Sequence, residues 1–390
     1  MKRQGQKIEA ECLGLIEALG SETFFNSFWE KKSFSAPFCS SFVGDVNAIA
    51  IEQLIASVGV PDPNWIQLVK DGKGLTHNAF TNSEGFVDLL AIRQAFEEGY
   101  TVQLSKIQIR HAQVGQLCRE FEGTCIDQKI DLTRPIGSHL YITPPHRRGL
   151  LPHYDDHNVL VLQLAGVKHW RLYSAPSKPI ARQIGEVREE CLPPLTDEIE
   201  LRAGHVLYVP RGCYHEASTG AEQSTHLTLD IYSLTLFDLL QEALRRLPSL
   251  GASVPHGFSE IETGALVKEQ IAPSLARLDF SAALTAIRRE FVSNLYPLPS
   301  GGLSSLVKPT INSMLHHRSG VLPRVRYQKE GVILNFIGGS ITADLPAADL
   351  LNFVASNTVF SVSAIPLGPD SEKLEFAYTL VDAGLAEIRP

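Results

Sequence analysis

The 390 residues, 44% hydrophobic and 20% charged, have the composition of a globular chain of two or three domains with ample core, not of a disordered or fibrous one. A formal net charge of -8 and a pI near 5.9 exclude wholesale attraction to nucleic acid or an anionic membrane, and fit basic protein or peptide partners better. Six scattered cysteines without a C-x-x-C pair, no apolar run of about 18 residues, and Glu9, Glu11 and Glu17 interrupting the stretch after Lys2, Arg3 and Lys7 argue against a disulfide framework, a membrane span and a signal peptide; a cytoplasmic address is expected.

Along the chain, Ile8, Cys12, Leu15, Ile16 and Leu19 recur at helical spacing, and Phe24, Phe25, Phe28 and Trp29 follow as an aromatic knot. The pattern predicts a helix within residues 8–30 packed on a sheet. Residues 46–58 and 83–98 repeat the amphipathic pattern, with Gly99 ending the second helix. Residues 60–82 are rich in turn formers and read as loop. Residues 100–109 alternate like a strand, and 114–121 read as a short helix.

From Ser138 the character changes to short β-rich runs bounded by turns: residues 139–143, 158–165, 168–173, 198–201, 205–209 and 226–233. Strands at this spacing without intervening helices predict an antiparallel barrel or sandwich, a shape that holds a ligand in its mouth. Helical periodicity returns over 236–247, 260–278 and 280–295, and Pro297-Leu298-Pro299-Ser300-Gly301-Gly302 reads as a boundary. The last ninety residues form a small unit with a strand over 332–337, a helix over 347–355 and another over 371–383 behind an acidic N-cap. No fixed-period repeat or low-complexity tract appears.

The chemistry concentrates in LPHYDDHNVLVLQLAGVKHWRLY, residues 151–173. His153 and Asp155 stand two apart, so on a strand both side chains leave the same face. A third group is offered by His215 in LYVPRGCYHEA, just past another strand and a Pro-Arg-Gly turn. Two histidines and one carboxylate on one face, with the opposite positions open, is the ligand set of non-haem Fe(II) oxygenases. His157 and His226 are rival ligands; the turn before His215 favours it over them. His-x-Asp by itself occurs widely by chance, and its place at the head of a barrel strand gives it weight.

Lys168 begins the strand that returns after Ala165-Gly166-Val167, so it can point into the barrel. A buried ammonium needs a partner, which a bound dicarboxylate would supply; a solvated lysine at a hairpin end is the plainer alternative. His139 and Tyr141 alternate on one strand face, suited to lining the same pocket or to core packing. No G-x-S-x-G or P-loop is present, and Cys213 has no demonstrated base.

The segment YITPPHRRGLLPHYDDHNVLVLQLAGVKHWRLY, with LYVPRGCYHEA and HLTLDIY, resembles the JmjC-type cupin domain of the ribosomal oxygenases, which are Fe(II)- and 2-oxoglutarate-dependent protein hydroxylases. Phe28-Trp29-Glu30-Lys31-Lys32 resembles that family's N-terminal tryptophan-glutamate-lysine motif. The resemblance implies an α+β chain: a double-stranded β-helix (jelly-roll, cupin) barrel with flanking helices over 1–235, a helical dimerisation region over 236–300, and a winged-helix-like domain over 301–390. It implies His153, Asp155 and His215 as iron ligands, with Lys168 and Tyr141 at the distal carboxylate of 2-oxoglutarate and O2 as co-reactant. Two positions depart from the pattern at that end of the pocket: His139 stands where the family often has asparagine, and Asp230 where it has serine. An acid there would repel a dicarboxylate unless protonated or paired, with His139 the natural partner.

The implied activity is hydroxylation of a protein side chain, with a ribosomal protein as substrate and histidine or arginine as its target. A peptide matured in a biosynthetic pathway is the rival substrate. A metal-binding cupin without turnover, or one using another metal for isomerisation or hydrolysis, is the non-oxygenase alternative. A homodimer is expected. From Ser340 to Pro390 seven acids face two bases, a net of -5, which argues against direct DNA binding by the terminal unit. Arg318, Arg324, Arg326 and Lys329 form the one basic stretch and the one candidate phosphate-binding patch, and read rather as a solvated linker face.

Overall fold

The computed structural model describes residues 22–38, 51–174, 185–186, 191–247, 264, 268–269, 275–296, 308–318, 321, 323–328, 331–336 and 339–388. The expected helical stretches at 8–21, 46–50 and most of 260–278, and the boundary at Pro297–Gly302, lie outside them. Contacts divide the chain into two compact units, residues 1–124 with 136–232, and residues 125–135 with 233–390.

The first unit contains thirteen strands among the described residues: β1 (Phe34–Pro37), β2 (Ile66–Lys70), β3 (Lys73–Gly74), β4 (Thr101–Ser105), β5 (Gly137–Thr143), β6 (His153–Tyr154), β7 (Asn158–Ala165), β8 (Val167–Tyr173), β9 (Gly185–Glu186), β10 (Leu195–Arg202), β11 (His205–Val209), β12 (His215–Thr219) and β13 (Ser224–Ile231). They form an eight-stranded sheet in the order β1-β11-β7-β13-β5-β4-β2-β3 and a five-stranded sheet in the order β10-β8-β12-β6-β9. Every pairing is antiparallel. The sheets share a core in which Val159, Val161, Leu207 and Val209 of the larger meet Trp170, Leu172 and Leu201 of the smaller. β7, reading NVLVLQLA, lies between β11 and β13 and is buried from Asn158 to Leu164, which is why it is apolar on both faces.

The expected antiparallel barrel or sandwich is therefore present, and six of its strands lie where the alternation placed them. Residues 60–82 are not loop throughout: Ile66–Lys70 is a strand paired with β4. Its five residues sit between Pro61-Asp62-Pro63 and Asp71-Gly72, so turn formers on both sides hid a short buried strand. β12, reading HEAST, was also hidden, because its outward positions are polar and only five residues long. The helix expected over 114–121 runs from Ala112 to Asp127.

Lys168 is delivered by a tight hairpin between β7 and β8 with Gly166 at φ +65°. A Cβ at this position would run into the Gln223 carbonyl oxygen, and φ itself is in the left-handed region. Gly166→Ala is expected to lower unfolding stability by about 1–3 kcal/mol, read as a lower urea midpoint at unchanged slope.

In the second unit, Leu236–Arg245 starts at a reciprocal capping box between Thr235 and Asp238, and Phe280–Ser293 is capped by Asp279. Arg288 grips both oxygens of Asp131 at 2.7 and 2.9 Å. Strands β14 (Met314–His317), β15 (Arg324–Tyr327), β16 (Val332–Phe336), β17 (Gly339–Ala343), β18 (Val359–Ser361) and β19 (Ala386–Ile388) form two three-stranded sheets, β18-β14-β19 and β15-β16-β17. With helices Ala348–Ser356 and Asp370–Asp382 they enclose a core that includes Leu315, Leu334, Phe336, Leu351 and Leu380. The cap of the last helix corrects the expectation of an acidic N-cap: Pro369 stands there without a side-chain hydrogen bond, and Asp370 is the first helical residue.

Candidate metal centre

His153 and His215 face each other as a cross-strand pair of β6 and β12. Their ring centroids are 4.4 Å apart. Asp155, just beyond β6, turns back between them, with Oδ1 at 4.0 Å from His153 Nε2 and Oδ2 at 3.6 Å from His215 Nε2. One donor atom from each of the three lies within 4.8 Å of the others, and no other such group occurs among the described residues.

The backbone fixes which nitrogen each histidine presents. His153 Nδ1 meets the Leu151 carbonyl at 2.7 Å, and His215 Nδ1 meets the Cys213 carbonyl at 3.0 Å. A carbonyl only accepts, so each Nδ1 carries a proton, and in the neutral ring Nε2 is the nitrogen with a lone pair to offer on the Asp155 side. Burial, helped by the nearby His153, pushes His215 down to about 4, which keeps that lone pair free at neutral pH. The Gly212 amide donates to the Asp155 carbonyl at 2.8 Å, with Gly212 at φ +80°, so the Pro-Arg-Gly turn ties the segments bearing Asp155 and His215 together.

A second brace comes from the aromatic knot. Trp29 stacks on Tyr208 of β11 at 5.7 Å, and Phe24 meets the same ring edge-on at 5.1 Å. The Tyr208 hydroxyl accepts from the Glu30 amide at 2.8 Å and donates to Asn158 Oδ1 at 2.7 Å. The same Asn158 oxygen accepts from the Arg211 amide at 3.2 Å. The Trp29-Glu30 segment thus pins the start of β7 and the turn before His215, the two backbone segments that flank the three converging groups.

The three groups line a cavity of about 430 Å³ together with Lys168, Tyr141, His139 and Asp230, so all seven candidate residues share one space. Lys168 is 3% exposed and its ammonium donates to Thr143 Oγ1 at 2.7 Å; among the described residues no carboxylate lies within ion-pairing distance of it. Burial alone lowers it to about 7. Tyr141 stacks flat on His226 at 4.9 Å, and burial, with Asp230 adding to it, raises its hydroxyl above the usual tyrosine range.

His139 and Asp230 face one another: His139 Nε2 lies 2.7 Å from Asp230 Oδ2. His157 Nε2 lies 3.6 Å from Oδ1. Burial would raise the Asp230 carboxyl, but His139 and His157 outweigh it and hold it well below the usual carboxylate range. His139 is raised, its burial overcome by the Asp230 charge and hydrogen bond. His157 is raised to about 10, against its burial, by hydrogen bonds to Asp156 and Asp230. The acid at position 230 is therefore not a bare anion.

The rival ligands are otherwise engaged. His157 belongs to the Asp230 cluster, and burial and Lys168 hold His226 well below the usual histidine range, beneath Tyr141. Two residues that sequence reasoning passed over are Thr143 and Ser105. Thr143 follows His139 and Tyr141 at the same two-residue spacing on β5, which is the signal that could have found it. Ser105 lies on β4 directly opposite His139, and only strand pairing reveals it.

The donor set suits a divalent first-row metal that tolerates mixed nitrogen and oxygen ligands, and the unpaired ammonium in the same cavity suits an anion. The model of the JmjC domain family matches residues 116–239. Ribosomal oxygenase 2 of Bos taurus is 33% identical over 251 residues, 58% of this chain and 52% of its own. The bifunctional lysine-specific demethylase and histidyl-hydroxylase NO66 of Drosophila grimshawi is 30% identical over 239 residues, 59% of this chain and 31% of its own. The chain spans about half the length of the ribosomal oxygenases it matches. The X-ray structure of E. coli ycfD shares the fold at a TM-score of 0.53 and 17% identity, over 94% of this chain and 97% of that one. A structure of the E. coli ribosomal oxygenase YcfD in complex with cobalt and 2-oxoglutarate gives 0.50 at 18% identity over the same shares. Residues 116–239 therefore match the JmjC domain family, and over 58% of its length the chain is similar to ribosomal oxygenase 2.

Proposed function

We propose that this chain is an Fe(II)- and 2-oxoglutarate-dependent oxygenase that hydroxylates a side chain of a protein substrate, with ribosomal proteins the first candidates. The observation that carries the reading is Lys168: a buried ammonium without a carboxylate partner, in the same cavity as two imidazoles and a carboxylate that converge. His153, Asp155 and His215 would hold the iron through Nε2, a carboxylate oxygen and Nε2. Lys168 and Tyr141 would hold the distal carboxylate of 2-oxoglutarate, and His139 and Asp230 would meet that end of the pocket as a mutually neutralised pair. When bound, iron supplies O2 activation coupled to oxidative decarboxylation of 2-oxoglutarate.

The chain's own part is to orient. The Leu151 and Cys213 carbonyls hold the imidazole protons on Nδ1, Lys168 fixes the direction of the cosubstrate, and the apolar wall of Val69, Leu150 and Leu151 limits water. The names of the relatives support a ribosomal protein as substrate, and the NO66 name supports a histidine over an arginine. We also propose the division into a catalytic part over 1–235, a dimerisation part over 236–300 and a winged-helix-like part over 301–390, with residence in the cytoplasm. Exposed Leu236, Phe237 and Leu240 on the helix Leu236–Arg245 support a homodimer. Among the described residues no helix is long and apolar enough to cross a membrane.

The test is succinate release from 2-oxoglutarate by the full chain loaded anaerobically with ferrous iron and then exposed to air. It is paired with mass spectrometry for one added oxygen atom on ribosomal proteins or small peptides from cells with and without the chain. Iron-dependent succinate is expected; metal bound without succinate would make the chain a non-catalytic cupin.

A further inference from the structure

Asn158 opens β7 three residues after Asp155 and is fully buried, yet its side chain does not line the cavity. Its Oδ1 accepts from the Tyr208 hydroxyl at 2.7 Å and from the Arg211 amide at 3.2 Å, which uses both lone pairs. Its Nδ2 donates to Glu30 Oε1 at 3.2 Å. The next amide of the same turn, that of Gly212, donates to the Asp155 carbonyl at 2.8 Å. Two consecutive amides ahead of His215 are thus tied to the two ends of residues 155–158, one through backbone and one through the Asn158 side chain. Glu30 closes the network from the other side. Its amide donates to the Tyr208 hydroxyl at 2.8 Å, and its φ of +51° is a left-handed conformation that a residue with a Cβ retains only where its surroundings hold it.

We infer that Asn158 is a positioning residue of the candidate metal centre: its amide oxygen fixes the turn before His215 against Asp155, and Tyr208 and Glu30 hold that oxygen in place. The inference rests on the metal-centre reading above and extends it to residues that touch no metal. Without the Asn158 oxygen, Gly212 alone would tie the turn to the Asp155 segment, and one hydrogen bond permits a pivot. The Cys213 carbonyl that orients the His215 ring belongs to the same turn, so a pivot carries the imidazole with it. Metal–ligand distances are held to within about 0.2 Å, so a small displacement of one ligand against the others is felt. Packing alone does not call for an asparagine here, because β7 runs on as Val159, Leu160, Val161 and Leu162, and a leucine of similar volume suits such a strand.

The test uses Co(II) alone as the probe metal on the full chain, reading its affinity and its d–d absorption spectrum beside the urea midpoint. Asn158→Leu is expected to weaken Co(II) binding by about 10–100-fold and to change the spectrum. Tyr208→Phe keeps the stacked ring and removes the hydroxyl; it should weaken binding by about threefold or more, and it carries the test if Asn158→Leu does not fold. Val161→Ala truncates the β7 core outside the network, so its midpoint should fall while its Co(II) affinity and spectrum stay native. Asn158→Asp combined with Glu30→Gln conserves net charge, keeps an oxygen for Tyr208 and Arg211 and reverses the hydrogen bond between the two positions. This exchange should return the native spectrum. Unmoved affinity in both Asn158→Leu and Tyr208→Phe overturns the inference, as does a Val161→Ala loss as large as theirs or an exchange variant as weak as Asn158→Leu. A native chain that binds no Co(II) strikes the metal-centre reading and the inference with it, a result distinct from native binding with unmoved variants.

Discussion

Asp155→Ala is expected to lower iron-dependent succinate release by at least about 100-fold, since even the residues that merely orient metal ligands cost 10–100-fold when lost. Asp155 supplies the carboxylate of the converging set and stands within 4.0 Å of both Nε2 atoms. Without it two neutral imidazoles remain, and they neutralise none of the charge of a divalent ion. The substitution leaves the Asp155 backbone carbonyl in place, so the hydrogen bond from the Gly212 amide and the turn before His215 survive. The variant should therefore keep its urea midpoint while losing bound iron by metal analysis. Turnover within tenfold of the native chain would move the centre elsewhere.

The second large effect concerns Lys168. Truncating one partner of a buried hydrogen-bonded charge pair typically costs about 2–5 kcal/mol. Lys168→Ala should thus weaken 2-oxoglutarate binding by roughly 30-fold to several thousand-fold, with iron binding preserved. The native pH dependence has a definite sign. Burial holds Lys168 at about 7, and a dicarboxylate pairs with its protonated form. Affinity is then flat below about pH 7 and falls as pH rises above it, by up to about tenfold per pH unit, with uptake of a proton on binding. Lys168→Arg keeps its charge throughout, so whatever affinity it retains should lose this slope. Calorimetry in two buffers of different ionisation enthalpy reads the proton directly. Stability follows the same shift. The unfolded lysine keeps its proton up to about 10.5 and the folded one only to about 7, so this residue's contribution rises with pH across that window, and its penalty is complete below it.

The parts of the site that were legible in the sequence obey strand periodicity. His153 and Asp155 share a face because side chains alternate, and Lys168 falls inside because the β7–β8 turn has a fixed length. The position of His215 came from the strand and Pro-Arg-Gly turn before it and from the family resemblance; its own strand, HEAST, gives no apolar signal, and its pairing with His153 is purely tertiary. The His139–Asp230 pairing could be anticipated from charge, whereas His157 joining it could not. Its spacing of two from Asp155 suggested a ligand, and only the approach of β13 alongside β7 shows that Asp230 takes it. β2 and the five strands of the terminal unit besides β16 escaped notice for one reason. Each is three to five residues long, too short for alternation to stand out against its turns.

The two imidazoles occupy a single rung of an antiparallel ladder, His215 opposite His153, and their chain neighbours Tyr154 and Tyr214 meet each other as an edge-on pair 4.9 Å apart. Because side chains on such a ladder alternate, a one-residue slip of either strand toward its tyrosine would exchange an imidazole for a phenol at that rung. The register of this one rung guards the candidate metal site as firmly as the identity of the histidines does.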